Sequence, residues 1–270
     1  MDRIDISIII VNYRARGLVR ECIKGIKQLH TKLRLEIIVV DNSPHEGVGE
    51  MLAERFSNVH YLPQDRNIGF AAGNNAGIRI AQGKYIMLLN YDITPLPGSF
   101  DYLHAYLENN PAVGMVGPQL INPNGTIQHS YYRFHSFLTP VYRRLWIGRF
   151  GFGKRHLDRF LMADMDTTSP VDVDWLLGAC LMVRASSIKT VGMMDERFFL
   201  YFEDTDWCRR FWKAKLPVRY VPGARMVHLH RRESAKGGGI LSLTHKTTRI
   251  HVISWLKYIL KWHMYGRRAS

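Results

Sequence analysis

The sequence predicts an α/β fold: a mostly parallel sheet flanked by helices and followed by an amphipathic helical tail. Short runs rich in Ile and Val alternate with segments of helical periodicity over the first 120 residues, a pattern typical of βαβ units. Several of these runs are continuously apolar, as in parallel strands that are buried on both faces. The 270 residues are 46% hydrophobic, which allows a sizeable core and excludes disorder as the main state.

The elements of the first half follow in order. Strands are predicted at residues 6–11, 35–40, 59–62, 85–89 and 113–116. Helices are predicted at residues 18–29, 75–81 and 100–108, between those strands. Connections of this kind imply right-handed crossovers, and ligands then bind at the carboxyl ends of the strands.

The second half is less regular. Residues 122–169 form an aromatic and basic excursion, which we expect to be partly mobile over the surface. Order returns at residues 171–184 and again in a strand-like segment at 218–221. Three glycines at 237–239 predict a hinge before a last helix at about 244–263. We therefore expect one domain over residues 1–235 and a basic amphipathic extension over 236–270.

The net charge of +14 lies entirely near the C-terminus. Through Asp206 the chain has 22 Lys and Arg against 22 Asp and Glu, whereas the last 64 residues have 15 against 1. This asymmetry indicates an anionic partner, which is a nucleic acid, a phosphorylated ligand or a membrane surface.

The cysteines and the N-terminal sequence indicate in which cellular compartment the protein resides. Three widely spaced cysteines without a C-x-x-C pair favour neither a disulfide framework nor a zinc site. The N-terminal apolar run is too short and too acidic for a signal peptide, and no stretch approaches the length of a spanning helix. We expect a cytoplasmic protein.

Two polar clusters follow predicted strands. Asp41 and Asn42 suit a ribose hydroxyl or a base N–H, although an Asx-turn that closes the strand would use the same residues. Asn90-Tyr91-Asp92 could hold a hard divalent cation that also takes phosphate oxygens, and a plain turn is again the alternative.

A third cluster places Glu203 and Asp204 among aromatic residues. Such surroundings raise the pKa of a carboxyl group and make it a better base. Acidic residues are also common in the first turn of a helix, where they complement its dipole. His228 and His230 share one face of a strand, although a single histidine is more often structural.

The Gly- and Asn-rich segment 67–77 is neither a Walker loop nor a dinucleotide fingerprint, since it contains neither G-K-[ST] nor G-x-G-x-x-G. Its residues allow the backbone to approach a ligand closely at the start of a helix.

The order of these motifs resembles family 2 glycosyltransferases. The resemblance rests on residues 7–13, 36–43, 67–77 and 88–92 in the nucleotide-sugar half, and on 173–180, 195–206 and 227–230 in the acceptor half. It covers residues 5 to 235 and divides the domain into a nucleotide-sugar half (1–121) and an acceptor half (122–235). Within the family the chain is most similar to bacterial rhamnosyltransferases of surface-polysaccharide assembly.

The resemblance implies a Rossmann-like GT-A fold, an inverting mechanism and Mn²⁺ or Mg²⁺. It implies Asp204 as the general base with Glu203 beside it, and Asp92 and His228 as metal ligands. The implied donor-binding residues are Asn12, Tyr13, Asp41, Asn67, Gly69, Asn74, Asn90 and Asp92. The implied acceptor-binding residues are Trp175, Gly178 and Tyr201.

One departure from the family pattern concerns the metal. The D-x-D triplet of the family is Asn90-Tyr91-Asp92 here, so its first carboxylate is missing and metal affinity could be low. A histidine ligand suits Mn²⁺ better than Mg²⁺, which prefers oxygen.

The implied reaction transfers a sugar, with L-rhamnose from dTDP-rhamnose as the best candidate, to a hydroxyl of a polyprenyl-diphosphate-linked saccharide. A different donor (UDP-galactofuranose or UDP-GlcNAc) and a catalytically silent protein are the alternatives. A nucleic-acid-binding protein is a distant one, because no nucleic-acid motif is present.

The basic end predicts a cationic helix of the interfacial kind. On a helical wheel Lys246, Arg249, Lys257 and Lys261 share one side, opposite Val252, Trp255, Leu256, Ile259 and Trp262. This helix either docks on the anionic cytoplasmic leaflet, making the protein peripheral to the inner face of the membrane, or packs on the catalytic domain.

Overall fold

The computed structural model describes residues 3–144, 146–229 and 246–268. The strands of these residues are β1 (Ile6–Asn12), β2 (Leu35–Asp41), β3 (His60–Pro63), β4 (Tyr85–Leu89), β5 (Ile93–Pro95), β6 (Met115–Ile121), β7 (Ile127–Gln128), β8 (Tyr131–Tyr132), β9 (Val171–Asp172), β10 (Trp175–Leu176), β11 (Cys180–Arg184) and β12 (Val218–His228). The helices are α1 (Arg16–Lys27), α2 (Val48–Arg55), α3 (Phe70–Ile80), α4 (Ser99–Asn109), α5 (Thr139–Arg144), α6 (Gly151–Phe160), α7 (Ala185–Val191), α8 (Glu203–Lys213) and α9 (Lys246–Arg268).

One large mixed sheet has the strand order β3-β2-β1-β4-β11-β6-β12-β5. Strands β1 to β4 pair in parallel, as predicted, and β6 pairs in parallel with β12. Strand β11 runs antiparallel to both of its neighbours, β4 and β6. Every residue of β1 and β4 is buried, which explains why apolar residues dominate both strands. The predicted α/β fold, a mostly parallel sheet flanked by helices, is confirmed.

Helix α3 begins five residues earlier than predicted. The glycines and asparagines of this segment suggest a loop to residue 75, but the helix starts at Phe70 after Gly69 with φ +92°. The Asn75 side chain explains the difference, because it binds the backbone of Met194 in both directions, at 2.8 and 3.0 Å. Tertiary contacts therefore satisfy an amide that would otherwise weaken the helix.

The excursion at residues 122–169 contains the short strands β7 and β8 and the helices α5 and α6, which were not predicted, while its partial mobility stays a prediction. Helices α5 and α6 pack on each other, and Phe160 and Met162 are buried in the same apolar cluster as Trp175 and Trp207. The many cations of this segment suggest a solvated loop, but its aromatic side chains supply enough apolar surface to anchor it.

The last helix packs on the rest of the fold, and the helical wheel placed some of its residues on the wrong face. Tyr258 and Trp262 are buried against Phe198 and Phe202. Lys261 points inward, where its ammonium contacts the carboxylates of Asp195 (2.8 Å) and Asp206 (2.7 Å), so its predicted place on the solvated side was wrong. The outward positions include Leu256, which the wheel placed on the buried side. The predicted hinge at 237–239 lies outside the described residues.

Asp206 anchors this helix to α8. Its side chain is fully buried and accepts hydrogen bonds from Trp262 Nε1 (2.9 Å), Lys261 Nζ (2.8 Å) and Arg210 Nε (3.0 Å). A buried carboxylate is tolerated only when charges and hydrogen bonds compensate its desolvation, as they do here. The first turn of α8 is thereby fixed to the C-terminal helix.

The three cysteines are free thiols, as predicted, and all are buried. Cys22 lies in α1, Cys180 in β11 and Cys208 in α8. Burial raises the pKa of each thiol above its ordinary value.

Close packing of α3 on β1 requires a glycine at position 77. A Cβ atom there would lie 2.5 Å from Cγ2 of Ile9, a fully buried residue of the central strand. We predict that Gly77→Ala lowers the free energy of unfolding by about 1–3 kcal/mol through overpacking. Gly17→Ala on α1 is the matched control, because no atom lies within 4 Å of the place its methyl group would take, and it should be neutral or stabilising by up to about 1 kcal/mol. Urea denaturation measures both, and equal effects would contradict this account.

Candidate active site

The carboxyl ends of the parallel strands bring the first predicted donor residues together. Asn12 ends β1 and Asp41 ends β2, and the two residues are partners in the parallel register. Both are fully buried, and Asn12 Nδ2 donates to Asp41 Oδ1 at 2.7 Å. Tyr13 follows and is 43% exposed, which leaves its ring open at this edge.

Asp41 has its hydrogen-bonding capacity taken up within the fold. The Ser43 amide donates to Oδ1 (2.9 Å), which forms the alternative Asx-turn, and the Tyr61 hydroxyl donates to Oδ2 (3.0 Å). Burial, together with the hydrogen bond to this carboxylate, raises the pKa of Tyr61. Direct binding of a donor by Asp41 stays a prediction.

The Gly- and Asn-rich segment joins the two halves of the chain. Asn67 Oδ1 accepts from the Gly69 amide (2.9 Å), and the Phe70 amide donates to the Phe199 carbonyl (2.7 Å). A Cβ on Gly69 would lie 2.6 Å from that same carbonyl oxygen, so only glycine fits. Asn74 is buried and donates to the Phe70 carbonyl (2.9 Å) within its own helix. The segment therefore brings backbone from the first and second halves of the chain into contact.

Asp92 and His228 come together through strand pairing. His228 at the end of β12 is the register partner of Ile93, and the Leu229 amide donates to the Asp92 carbonyl (2.9 Å). His228 Nε2 lies 3.4 Å from Asp92 Oδ1, a buried oxygen that accepts no hydrogen bond, so the two groups are close but not aligned for one. Among the described residues no group of three or more His, Cys, Asp or Glu side chains could hold a metal, and His230 lies outside them.

A residue that the sequence did not indicate orients His228. Its Nδ1 lies 2.8 Å from Oε1 of Gln128, on the short strand β7. An oxygen acceptor on Nδ1 orients the ring so that Nε2 faces Asp92, which is the usual arrangement behind a metal-binding histidine. Gln128 is one polar residue in a turn-rich stretch, so no sequence pattern distinguishes it.

The acid pair lies in the first turn of α8, which is the position that the structural alternative gave it. Asp204 Oδ2 accepts from the Gly178 amide (2.9 Å) and Oδ1 from the Thr205 amide (2.7 Å), and these bonds favour the charged form. Glu203 is also buried, and its Oε2 has no hydrogen-bond partner. Burial raises the pKa of both carboxyl groups, and the charge of Asp204 raises that of Glu203 further. The pKa of Glu203 is therefore raised well above its ordinary value, whereas backbone hydrogen bonds oppose the rise in the pKa of Asp204.

The turn that presents this pair is strained. Tyr201 and Phe202 both have left-handed backbones, with φ of 69° and 68°, which L-residues rarely adopt. The rings hold them in place: the centroid of His251 on α9 lies 5.0 Å from that of Tyr201 and 5.3 Å from that of Phe202. Such strain persists where packing enforces it and is concentrated at functional sites.

An aromatic wall surrounds Trp175. Its ring stacks on Tyr132 at a centroid distance of 4.5 Å, and its Nε1 donates to the Arg133 carbonyl (2.8 Å). His135 lies against both Trp175 (5.4 Å) and Phe202 (4.9 Å), although no sequence pattern indicates it. Burial, with the nearby cations, lowers the pKa of His135 to about 3, so its ring is neutral.

A cleft of about 710 Å³ adjoins this wall. It is lined by Arg133, Phe134, Ser136, Thr139, His156, Arg159, Phe160, Asp164 and Asp174. Phe160 belongs to both the cleft and the wall, since its ring stacks on Tyr132 at 5.2 Å. The residues of 122–169 thus form one side of the site.

Comparison with known proteins decides the family. The sequence profile described as "Glycosyl transferase family 2" matches residues 7–170, which is more than half of the chain. The chain belongs to glycosyl transferase family 2. This confirms the resemblance drawn from the motifs.

Curated relatives of this family 2 chain include rhamnosyltransferases. An N-acetylglucosaminyl-diphospho-decaprenol L-rhamnosyltransferase of Mycobacterium tuberculosis is 28% identical over 268 residues, covering 89% of this chain and 83% of the relative. The dTDP-rhamnosyl transferase RfbF of Shigella flexneri is 26% identical, covering 84% and 72%.

Solved structures support the fold. GalNAc-T7, crystallised with UDP, GalNAc and Mn²⁺, matches with a TM-score of 0.65 at 15% identity, over 88% of this chain and 45% of that one. The mannosyltransferase PcManGT from Pyrobaculum calidifontis, in complex with GDP-Man and Mn²⁺, matches with a TM-score of 0.58 at 14% identity, over 86% and 59%. The chain thus spans about half the length of these solved proteins and shares their GT-A fold. No helix in its described part is both long enough and apolar enough to cross a bilayer.

The buried Glu203 gives a pH dependence of stability that needs no substrate. Its folded pKa is raised, so the folded state binds more protons than the unfolded state and the free energy of unfolding falls as pH rises above the ordinary Glu value. Glu203→Gln removes this loss, so we predict that the variant gains stability relative to wild type as the pH is raised from about 5 to about 8. Urea unfolding at both pH values measures it. Glu54→Gln, at an exposed position, is the control and should show no such trend.

Proposed function

We propose that the protein is an inverting glycosyltransferase that moves a sugar from a nucleotide donor to a hydroxyl of a saccharide acceptor. The single observation that carries this is a pair of hydrogen bonds made by two adjacent residues just before β11. The Asn90 amide donates to the Ala179 carbonyl (2.9 Å), and the neighbouring Gly178 amide donates to Asp204 Oδ2 (2.9 Å). The segment that would hold the nucleotide diphosphate is thereby tied to the carboxylate that would act as base.

Asp204 is the proposed general base. Its carboxylate takes the proton of the acceptor hydroxyl while the hydroxyl oxygen attacks the anomeric carbon on the face opposite the nucleotide, which inverts the configuration. Backbone amides hold Asp204 in its charged form, and burial, which raises its pKa, makes it more basic than a solvated aspartate. Glu203, the other proposed catalytic residue, stays protonated beside it and keeps a second negative charge away from the acceptor.

Asp92 and His228 are the proposed ligands of Mn²⁺ or Mg²⁺. The fit is supported by the unpaired buried oxygen of Asp92 and by the orientation of His228 through Gln128. Asn90 replaces a carboxylate, so the site has less negative charge than a D-x-D triplet and depends more on the diphosphate of the donor. When bound, the metal supplies Lewis-acid neutralisation of charge on the departing diphosphate. The Mn²⁺ complexes of structurally similar proteins support this choice.

The proposed donor is dTDP-L-rhamnose, and the proposed acceptor is a saccharide on a polyprenyl diphosphate. The names of the mycobacterial and Shigella relatives support both. Residues 1–121 would bind the nucleotide sugar, with Asn12, Tyr13, Asn67, Gly69 and Asn74 at its pocket. Residues 122–235 would bind the acceptor, with Trp175, Gly178 and Tyr201 beside the base. Such an acceptor lies in the membrane, so the enzyme works in the cytoplasm at the inner face, where the exposed cations Arg249 and Lys257 of α9 meet anionic lipid.

A matched pair of isosteric variants tests the base. We predict that Asp204→Asn folds and binds donor but loses transfer by roughly 10²–10⁴-fold, the usual value of general-base catalysis. Glu203→Gln, which mimics the protonated acid, should keep transfer within about tenfold. Single-turnover transfer to a saccharide acceptor measures both, and near-normal turnover by Asp204→Asn would refute the assignment.

Calorimetry tests the donor and the metal together. We predict that dTDP-rhamnose binds in the presence of Mn²⁺ and that EDTA or Asp92→Ala abolishes this binding. Gln128→Ala should weaken metal-dependent binding by about 10–100-fold, because it removes the group that orients His228. Glu54→Ala is the control for loss of a carboxylate and should bind normally. Tighter metal-dependent binding of UDP-galactofuranose or UDP-GlcNAc would show that the donor is a different nucleotide sugar and would leave the proposed site unchanged. Binding that resists EDTA would exclude the proposed role of the metal.

A further inference from the structure

Large exposed apolar side chains are concentrated on one part of the molecule. An aromatic ridge, formed by Phe137, Leu138, Trp146, Phe150 and Phe152, lies in and around α5 and α6. Trp146 and Phe152 are 72% and 81% exposed, so neither side chain is packed in the interior. Contiguous exposed apolar side chains mark interaction surfaces. An outer stripe of α9, formed by Ile253, Leu256 and Leu260, is 45–61% exposed.

The ridge and the stripe are connected. The Phe137 ring contacts Trp255 on α9 at a centroid distance of 5.4 Å, so the two elements lie side by side. Phe150 is held near Trp146, with centroids 6.3 Å apart. Beneath them, Thr139 Oγ1 lies 2.9 Å from His156 Nε2 and ties α5 to α6. The apolar side chains therefore project from a folded platform.

The charge around the ridge has one sign. Residues 137–160 contain six Lys and Arg against the single acid Asp158, and that acid is already paired with Lys154 at 2.6 Å. Arg143, Arg149 and Arg155 are exposed. The Arg155 guanidinium lies over the Phe152 ring at 4.6 Å, which places a cation directly beside an exposed aromatic side chain.

We propose that the aromatic ridge and the outer stripe of α9 insert into the surface of an anionic lipid bilayer. Exposed Trp and Phe beside Arg are the composition of interfacial membrane-binding elements, in which the rings enter the acyl boundary and the cations meet the headgroups. Self-association of two copies would bring two strongly cationic surfaces together, which disfavours a second chain as the occupant. A nucleic-acid duplex would meet the cations through its phosphates but would leave the apolar side chains of the ridge exposed to water.

This surface deepens the proposed function and rests on it for its purpose. Helix α6 carries Phe152 at one end, while His156, Arg159 and Phe160 of the same helix line the cleft beside the Trp175 wall. Docking through the ridge would therefore set the mouth of that cleft against the leaflet, where the saccharide of a lipid-linked acceptor emerges.

Sedimentation with vesicles tests the surface on the full chain, without donor or acceptor. We expect the protein to bind vesicles of equal parts phosphatidylglycerol and phosphatidylcholine, and to bind phosphatidylcholine alone much more weakly. Phe150→Ser with Phe152→Ser should reduce binding to the anionic vesicles about tenfold or more, since two inserted rings are lost. Arg149→Glu with Arg155→Glu should reduce it at least as much and make the remaining binding less sensitive to salt.

Matched variants elsewhere on the surface control for general effects. Ile80→Ser with Tyr102→Ser removes apolar side chains that are 43% and 44% exposed on α3 and α4, and Lys24→Glu with Arg55→Glu reverses two exposed cations. Both controls should bind vesicles like wild type, and all variants should keep the wild-type melting temperature and transfer to a water-soluble acceptor.

Unchanged vesicle binding by the ridge variants, or equal loss in the controls, would overturn the proposal. So would sedimentation velocity in which the ridge variants convert a dimer to a monomer while vesicle binding persists. A protein that binds vesicles through the ridge but transfers no sugar would refute the proposed function alone.

Discussion

The site depends on the direction of one strand. Strand β11 runs antiparallel between β4 and β6, so its first residues lie at the edge where β4 ends. A parallel strand at this place would put Gly178 and Ala179 at the far side of the sheet, about 17 Å away for five residues. Because β11 is reversed, Ala179 pairs with Asn90 and Gly178 reaches Asp204. The helix that carries the acid pair is thereby tied to the edge where β4 ends.

The strained turn before α8 shows how the remaining elements serve this arrangement. Two consecutive left-handed residues cost of the order of 1–3 kcal/mol each, and the helix start alone provides no compensation. The compensation comes from distant parts of the chain: His135 from the middle segment, and His251 and Tyr258 from α9, all pack against Phe202. The C-terminal helix therefore supports the turn that presents the acid pair, although it contributes no group to the proposed chemistry.

The sequence was most informative where local pattern and burial agree. Strand β4 was predicted to the residue, and the polar residues at the ends of β2 and β4 were correctly expected at the carboxyl edge of the sheet, because apolar runs and parallel pairing determine both. The failures have a common cause. Asn75 in α3, Lys261 on α9 and the folded segment 122–169 each depend on a partner more than 50 residues away in sequence, or on aromatic packing that a charge count conceals. No local sequence pattern marks Gln128 or His135. Each has a role only because the fold places it next to a distant residue, His228 for Gln128 and Trp175 for His135.

The three buried thiols give the chain its own probes of local opening. Cys22 lies in α1, Cys180 in the reversed strand β11 and Cys208 in α8, and burial with a raised pKa leaves each thiol unreactive while it is covered. A thiol reagent therefore reacts only when the corresponding element opens, so that the order of labelling ranks the local stabilities of these three regions. For the same reason, a cysteine introduced on the surface would react with a fluorophore or spin label before the three native thiols do, so the native cysteines need not be replaced.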